Sequence, residues 1–470
     1  MTRAVFLLFF FNVSLALFAQ RQIDIEKVVV GEISFLGNKV TKNKIIAREL
    51  EFSKGDTLST TELDRLIELS RQNMRNLSIF NFVEVEKTAI QIPDGIKMNI
   101  QFIFTECWYL LPYPKIEFAD RNFNSWYETS NWKRVSIGGD IKHNNFRGRL
   151  EQLNLTLYFG YNQQFGIAYQ IPYLTKKQNF GIGFDFAYIR KREVAYETEN
   201  DKPNYYFLSN KIAQKSIRVG GKLLYRYGFR NLHTLYLSWN SDRFNDSVFV
   251  LNPDFMHRPD KKNDYFTASY VFRNDYRDDK PYPLKGHYLE LELTKIGLGI
   301  LTSEPNFFYA KTTADWYHHL GGRWYWASNL TAKISDGNKQ PYYLMQGLGF
   351  GNDFVRSYEL YVVDGKSYGL NKNNLKYNIV KPKVRKMNFL KSEKFSKIHY
   401  ALYGNLFFDA AYVVNSDKKQ HSRLQNKLIY GGGIGFDVVT YYDLVFRFEY
   451  AINMFGNGGL YIHFVAPISE

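Results

Sequence analysis

The chain has 470 residues and a formal net charge of +15, and 17% of its residues are aromatic, with 36 Tyr and 39 Phe. That length exceeds one ordinary compact core and suits a small domain joined to a larger body. A mean hydropathy of −0.36 argues against a helical membrane protein but not against a barrel, whose strands hide apolar residues in alternation with polar ones.

The first residues supply an address. Met1-Thr2-Arg3 is a positive start, Ala4 to Phe18 is almost wholly apolar, and Phe18-Ala19-Gln20 offers a cleavage point after Ala19. The apolar core is too short to span a bilayer, so residues 1–19 read as a secretory signal peptide. The positive charge invites nucleic acid, but an exported chain rarely meets it, and none is expected as a partner. Cys107 is the only cysteine, which leaves no intramolecular disulfide and argues against a thiolate metal cluster.

Residues 26–106 have their own grammar. Val28 to Phe35 reads as a strand closed by Gly37-Asn38, followed by a short helix around Lys42 to Leu50 and a Gly55-Asp56 turn. Ser59-Thr60-Thr61-Glu62 is a capping box in which Glu62 is placed to reach back to the Ser59 amide. The helix it opens carries Leu63, Leu66, Ile67, Met74 and Leu77 at helical spacing. Strands Phe82 to Lys87 and Ile96 to Phe104, joined through Pro93-Asp94-Gly95, complete a β-α-α-β-β order.

From about residue 112 to 470, alternation takes over. Phe180, Ile182, Phe184, Phe186 and Tyr188 share one face, with Gly181, Gly183, Asp185 and Ala187 on the other. Leu153 to Tyr161, Leu289 to Leu293 and Phe446 to Tyr450 repeat the pattern, which is the strand signature, and no intervening helical segments are expected. Sixteen segments are expected, starting near 113, 132, 150, 163, 178, 216, 231, 263, 286, 305, 323, 367, 398, 426, 441 and 459. Tight connections such as 229–231, 320–322 and 440–441 contrast with long ones at 191–215, 242–262 and 337–366, the asymmetry of an outer-membrane barrel. The predicted fold class is therefore an all-β transmembrane barrel of antiparallel strands behind a small α+β module. Between Lys381 and Lys397 lie Lys381, Lys383, Arg385, Lys386, Lys391, Lys394 and Lys397 against Glu393. This run reads either as a solvated basic turn or as a site attracting anionic lipid headgroups or an acidic partner.

Two segments carry a resemblance: Val355-Arg356-Ser357-Tyr358-Glu359 in a predicted outer loop, and Phe407-Phe408-Asp409-Ala410-Ala411 in a predicted strand. Together they resemble the loop-anchoring pair of the BamA/TamA outer-membrane assembly superfamily, in which the arginine folds back into the lumen and pairs with the strand aspartate. Ser357 and Ala411 stand where the family usually has glycine. His143 to Gly148 is similar to the family's early periplasmic turn, and Arg277 to Gly286, ending in Pro-x-x-Gly, to its mid-barrel turn. The N-terminal module resembles a POTRA domain, through "GNKVT", "GD" and "SIFNFVEV". Gly459, Ile462 and Phe464 fit the spacing of a C-terminal β-signal, generic to outer-membrane barrels. The residues add their own constraint: Phe408, Ala410 and Tyr412 facing lipid would put Phe407, Asp409 and Ala411 in the lumen, because a carboxylate on the lipid face is costly.

The resemblance implies an outer-membrane barrel with its POTRA domain in the periplasm that inserts or translocates polypeptides. POTRA modules receive unfolded clients by β-augmentation. Its partners would be unfolded outer-membrane or secreted polypeptides, the lipid bilayer, and periplasmic or lipoprotein accessory subunits. Arg356, Asp409, Phe407, Tyr358 and Glu359 would form a loop–strand lock, and Gly459, Ile462 and Phe464 the seam with the segment at 113–121. No catalytic residue, metal or cofactor is expected. Gly365-Lys366-Ser367-Tyr368-Gly369 fits a hydrolase G-x-S-x-G but enters a strand after a loop, not a strand–turn–helix elbow. No histidine pair has HExxH spacing, and His318-His319 reads as an aromatic-belt end. The alternatives are a passive channel or transporter, with a stable open lumen and a sealed seam, and a structural accessory subunit of an assembly machine.

Overall fold

The computed structural model describes residues 27–93, 95–118, 132–207, 211–256, 262–336, 340–386, 397–415, 422–440 and 444–463. The expected signal peptide, Asp94, Phe464 and the tip of the basic run at 387–396 lie outside the described residues.

In the N-terminal module, alternation along β1 (Lys27–Leu36) and β4 (Gly95–Glu106) sends Val28, Val30, Ile100, Phe102 and Phe104 to one face. Against that face lies α2 (Thr60–Arg75), whose Leu63, Ile67 and Met74 form one buried stripe at helical spacing. A shorter helix, α1 (Asn43–Ala47), adds Ile45 and Ile46. The sheet order is β2-β1-β4-β3, with β2 (Thr57–Ser59) and β3 (Phe80–Ile92) at the edges and β1 parallel to β4. The three-residue strand β2 adds an element to the expected order. The capping box is half formed. The Ser59 hydroxyl accepts from the Glu62 amide at 3.1 Å, but the Glu62 carboxylate turns outward to Arg65 at 2.7 and 2.9 Å. A guanidinium three residues on is a stronger partner than the single Ser59 amide.

The barrel strands begin with β5 (Leu110–Phe118), β6 (Val135–Phe146), β7 (Glu151–Gly160), β8 (Gln163–Ile171) and β9 (Phe180–Lys191). A hairpin of β10 (Glu193–Glu199) and β11 (Lys202–Phe207) stands outside the main sheet. Then follow β12 (Gln214–Tyr227), β13 (Asn231–Phe244), β14 (Lys262–Asp275), β15 (Gly286–Ile296), β16 (Phe307–Gly321) and β17 (Trp324–Ser335). The last five are β18 (Ser367–Lys386), β19 (Lys397–Val414), β20 (Leu428–Val439), β21 (Val445–Asn453) and β22 (Gly458–His463). Among the described residues the main sheet has 16 strands in sequence order, and each observed start lies within about four residues of its expected one. Among the described residues no ladder joins β22 to β5. Phe180, Ile182 and Phe184 point outward while Asp185 is buried, as period-two alternation requires of a wall with lipid on one side. His318 and His319 lie at the C-terminal end of β16 against Trp326 and Tyr325.

Two outer connections hold more structure than their polar composition implies. The hairpin β10–β11 and a short helix, α3 (Asp246–Leu251), share a buried cluster of Val194, Tyr206, Phe244, Val248 and Phe255. This corrects the expectation of no helix within the barrel region. The apolar residues of these segments are too few to show a period, and only their contact with one another buries them.

The N-terminal module is seated on one rim of the barrel. Its core continues into the barrel through Tyr109, Leu150 and Tyr173. The turn after β6 is gripped at Gly148, whose carbonyl accepts from the Lys42 amide at 2.9 Å. Gly148 has φ +68, and a Cβ there would lie 2.0 Å from the Val40 carbonyl oxygen, so only glycine permits the approach. Asn145 donates to the Thr41 hydroxyl at 2.9 Å, and Arg75 pairs with Asp279 of the turn after β14 at 2.8 Å. Centrally, Arg226 of β12 clasps the buried Glu49 carboxylate at 2.8 and 3.0 Å. Arg226→Leu therefore leaves a carboxylate that is 1% exposed with Arg48 at 3.2 Å as its remaining cation, and is expected to weaken docking by about 2 kcal/mol. Limited proteolysis between the domains should accelerate in that variant, and Glu49→Leu combined with Arg226→Leu should restore most of the protection.

Candidate functional site

The long connection between β17 and β18 does not stand out from the barrel; it folds back inside. Leu348 and Val363 pair with each other through hydrogen bonds of 3.0 and 2.9 Å, closing the segment into a narrow loop. Leu348, Val355, Tyr358 and Val363 then pack on Tyr368, Leu370, Ala411, Val413 and Ile429, inward residues of β18, β19 and β20. This apolar contact carries the loop into the lumen and sets Arg356 opposite Asp409.

Arg356 is 4% exposed and Asp409 0%. The Arg356 side chain donates to both carboxylate oxygens of Asp409, from Nη2 at 2.5 Å and from Nε at 2.8 Å, and its backbone amide donates to Asp409 at 3.1 Å. The remaining fork arm, Nη1, donates to Glu449 of β21 at 3.1 Å. The Arg356 guanidinium lies 4.0 Å from the centre of the Phe407 ring. Phe407 in turn packs with Ala451 of β21 and Tyr461 of β22. Phe408 and Tyr412 face outward, so the expected register of β19 is the one observed.

The neighbours of Arg356 extend the clamp toward the chain's end. The Tyr358 hydroxyl donates to the Tyr430 carbonyl at 3.1 Å and accepts from the Met454 amide at 3.0 Å. Glu359 lies 3.0 Å from His463 of the last described strand. Ser357 has φ +84, so a side chain occupies a conformation that favours glycine. Opposite it, a Cβ on Gly431 would come within 2.3 Å of the Ser357 hydroxyl and 2.9 Å of the Arg356 carbonyl. The glycine run 431–433 in β20 is thus where the loop backbone approaches the wall, a signal that sequence reasoning could have used. Gly459 pairs with Ala451, and Ile462 faces outward from β22.

Sequence reasoning missed Glu449 and the adjoining cluster. Arg447 donates to Asp437 at 2.9 Å and lies 3.9 Å from Glu449, while Lys376 lies 3.8 Å from Asp437. From the side of the N-terminal module, Tyr282 of the turn after β14 reaches up to this cluster. Its hydroxyl donates to Asp437 at 2.7 Å and its ring lies 4.1 Å beneath the Lys376 ammonium. That turn is the one Arg75 of the N-terminal module grips. Contacts therefore run without a break from helix α2 to the Arg356 loop. In the sequence these residues are ordinary inward polar positions of alternating strands.

Removing one member of a buried pair leaves the other charge without compensation. Arg356→Ala is expected to cost about 3–5 kcal/mol in urea unfolding of the micelle-bound barrel, with Arg356→Lys intermediate because an ammonium cannot reproduce the fork. Ser357→Gly is expected to stabilise the barrel by about 1 kcal/mol through relief of the positive φ.

A family model described as the Omp85 superfamily domain matches residues 145–459, and one described as the surface antigen variable number repeat, a POTRA model, matches residues 28–107. Among solved structures, the chain is similar to BamA from Haemophilus ducreyi lacking POTRA domains 1–3, at 15% identity over 93% of this chain and 83% of that one, with a TM-score of 0.50. It is also similar to CdiB from Escherichia coli, at 11% identity over 93% of this chain and 75% of that one, with a TM-score of 0.53. At such identities the likeness is one of fold. A search of curated proteins gives no significant match. The family match spans most of the chain, the POTRA match covers the N-terminal sheet, and the sixteen strands follow in order: the chain belongs to the Omp85 superfamily of outer-membrane β-barrel proteins.

Proposed function

We propose that this protein inserts or translocates polypeptides at the outer membrane, without enzymatic chemistry, nucleotide or cofactor. The observation that carries this reading is the occupied lumen. The Arg356 loop crosses the inner face of β19 to β22, held by Asp409, Glu449 and the contact between Glu359 and His463. A wall strapped in this way beside the last described strand can be opened at one place without dismantling the rest.

The place is the seam between β22 and β5, where no ladder joins the described residues. A strand edge there presents unpaired N–H and C=O groups, a ready template for an incoming client strand. In the POTRA domain, β3 is a sheet edge whose residues Glu86 to Gln91 are exposed, and it is the proposed first receiver of an extended client. Within this reading, residues 1–19 are a removed signal peptide, residues 26–106 the periplasmic receiver and residues 112–470 the barrel. Energy comes from client folding and from local thinning of the bilayer, so no fuel is required. The tie between the Arg75-gripped turn and the Tyr282 cluster gives the receiver a physical connection to the wall it serves.

A seam tether tests the proposal. Cysteine pairs scanned between residues 113–118 and 458–463 in a Cys107→Ser background should, once oxidised, abolish client assembly in reconstituted vesicles, with activity restored by reductant. Full activity in a verified tethered barrel would refute lateral entry of clients. Large, steady conductance of the parent protein, unaffected by the tether, would instead establish a passive channel.

A further inference from the structure

The basic run around residue 381 stands on an unusual piece of architecture. The neighbouring strands stop short of it. β17 begins at Trp324, opposite Tyr377, and β20 ends at Val439, opposite Ala401. Strands β18 and β19 nevertheless continue, pairing with each other from Val380–Leu402 to Lys386–Lys397. The result is a two-stranded ribbon reaching beyond the barrel wall on the same side as the POTRA domain. Lys381, Lys383, Arg385 and Lys386 are all exposed on it, and none of them forms an ion pair with a described residue. The described ribbon strands, 379–386 and 397–400, contain no acidic residue.

Strand addition is disfavoured here: Pro382 removes a donor, and a row of lysines is what natural edges use to repel another strand. The register favours a different occupant. Cross-strand partners share a face, and the even-numbered residues of β19, such as Leu406, Phe408 and Tyr412, point outward to lipid. Through the irregularities after Asn378 and Val380, Lys383 pairs with Tyr400 and Arg385 with Ile398, so both cations continue the lipid-facing surface. The wall's interface is marked by the rings of Trp324 and Tyr377, 4.8 Å apart. At about 3.3 Å per residue and a tilt of ~40°, Lys381 and Lys383 lie on the order of 10–15 Å beyond that girdle. This is the depth of the headgroup layer plus about one Debye length.

We infer that this ribbon is a docking site for anionic phospholipid headgroups of the periplasmic leaflet, holding the leaflet against the barrel next to its C-terminal strands. The inference rests on the outer-membrane orientation of the barrel and not on the polypeptide-assembly reading. Its test uses the full chain and a variant carrying Lys381→Gln, Lys383→Gln, Arg385→Gln and Lys386→Gln, both verified as folded by heat-modifiable migration. Each is reconstituted in nanodiscs of equal phosphatidylglycerol and phosphatidylcholine, and the lipids retained on release are counted by native mass spectrometry. The parent should retain phosphatidylglycerol over phosphatidylcholine at least about fivefold more strongly than the variant, with the difference shrinking as salt rises. Equal lipid ratios overturn the proposal. Should lipid ratios be equal while a glutamate-rich peptide binds the parent and not the variant, the partner is an acidic polypeptide and the lipid assignment fails. If the fourfold variant does not fold, Lys381→Gln with Lys383→Gln, which removes only exposed charge, gives the same reading at smaller amplitude.

Discussion

A guanidinium cannot be left unpaired inside a barrel wall, and the arrangement around Arg356 follows from that constraint. Its desolvation is offset by a two-pronged pair to Asp409, a third hydrogen bond to Glu449 and the face of Phe407. To bring those groups together, the loop must enter the lumen, strand β19 must turn Asp409 inward, and β20 must offer glycine where the loop backbone passes. Each condition is met by a different segment of chain. The pair therefore specifies one arrangement of the C-terminal wall more than it adds net stability, since buried ion pairs contribute little beyond apolar replacements.

The same logic extends the charge cluster downward. Glu449 is shared between Arg356 and the neighbourhood of Arg447, and Asp437 is shared among Arg447, Lys376 and Tyr282. Every member has a partner of opposite sign within reach, and removal of one disturbs the next. The periplasmic turn that supplies Tyr282 also receives Arg75 from the POTRA domain, so the domain rests on a part of the barrel wired to its interior. A second anchor, Arg226 on Glu49, buries charge at the rim itself. Between the domain and the loop tip remains a chamber of about 740 Å³, bordered by Glu49 and Arg226 below and by Phe350 and Asp353 above. The loop thus fills part of the lumen, with the chamber between it and the domain.

Residues that do not pack inward have their own physical consequence. Outside the wall, alternation presents phenylalanine, leucine and isoleucine to lipid. Past the end of β17 the outward positions change character to Lys383 and Arg385 beside Tyr400 and Ile398. That transition from hydrocarbon-compatible to headgroup-compatible side chains occurs on a ribbon that neither neighbour strand accompanies. Being made of β18 and β19, it lies close to the strands the Arg356 loop straps.

The sixteen strands were legible because period-two alternation is a local property, readable wherever one face meets lipid. The inward direction of Asp409 was legible for the same reason: a single register keeps the carboxylate out of hydrocarbon. The helix bearing Leu63, Ile67 and Met74 was visible through its spacing, although the competition of Arg65 for Glu62 was not. Strand β2, hairpin β10–β11 and helix α3 were not legible, since each is too short or too polar to show a period and exists through its neighbours. Glu449, Arg447, Asp437 and Lys376 look like any inward polar positions of a barrel, and Tyr282 like any turn tyrosine. What the sequence determined by itself was the strand pattern and which face of each strand is polar, because these depend on nearest neighbours and on the solvent. Which polar residues meet across the lumen, how the loop enters it and where the POTRA domain sits were decided only by tertiary structure, because those contacts join segments up to hundreds of residues apart whose charges find each other only once the wall is formed.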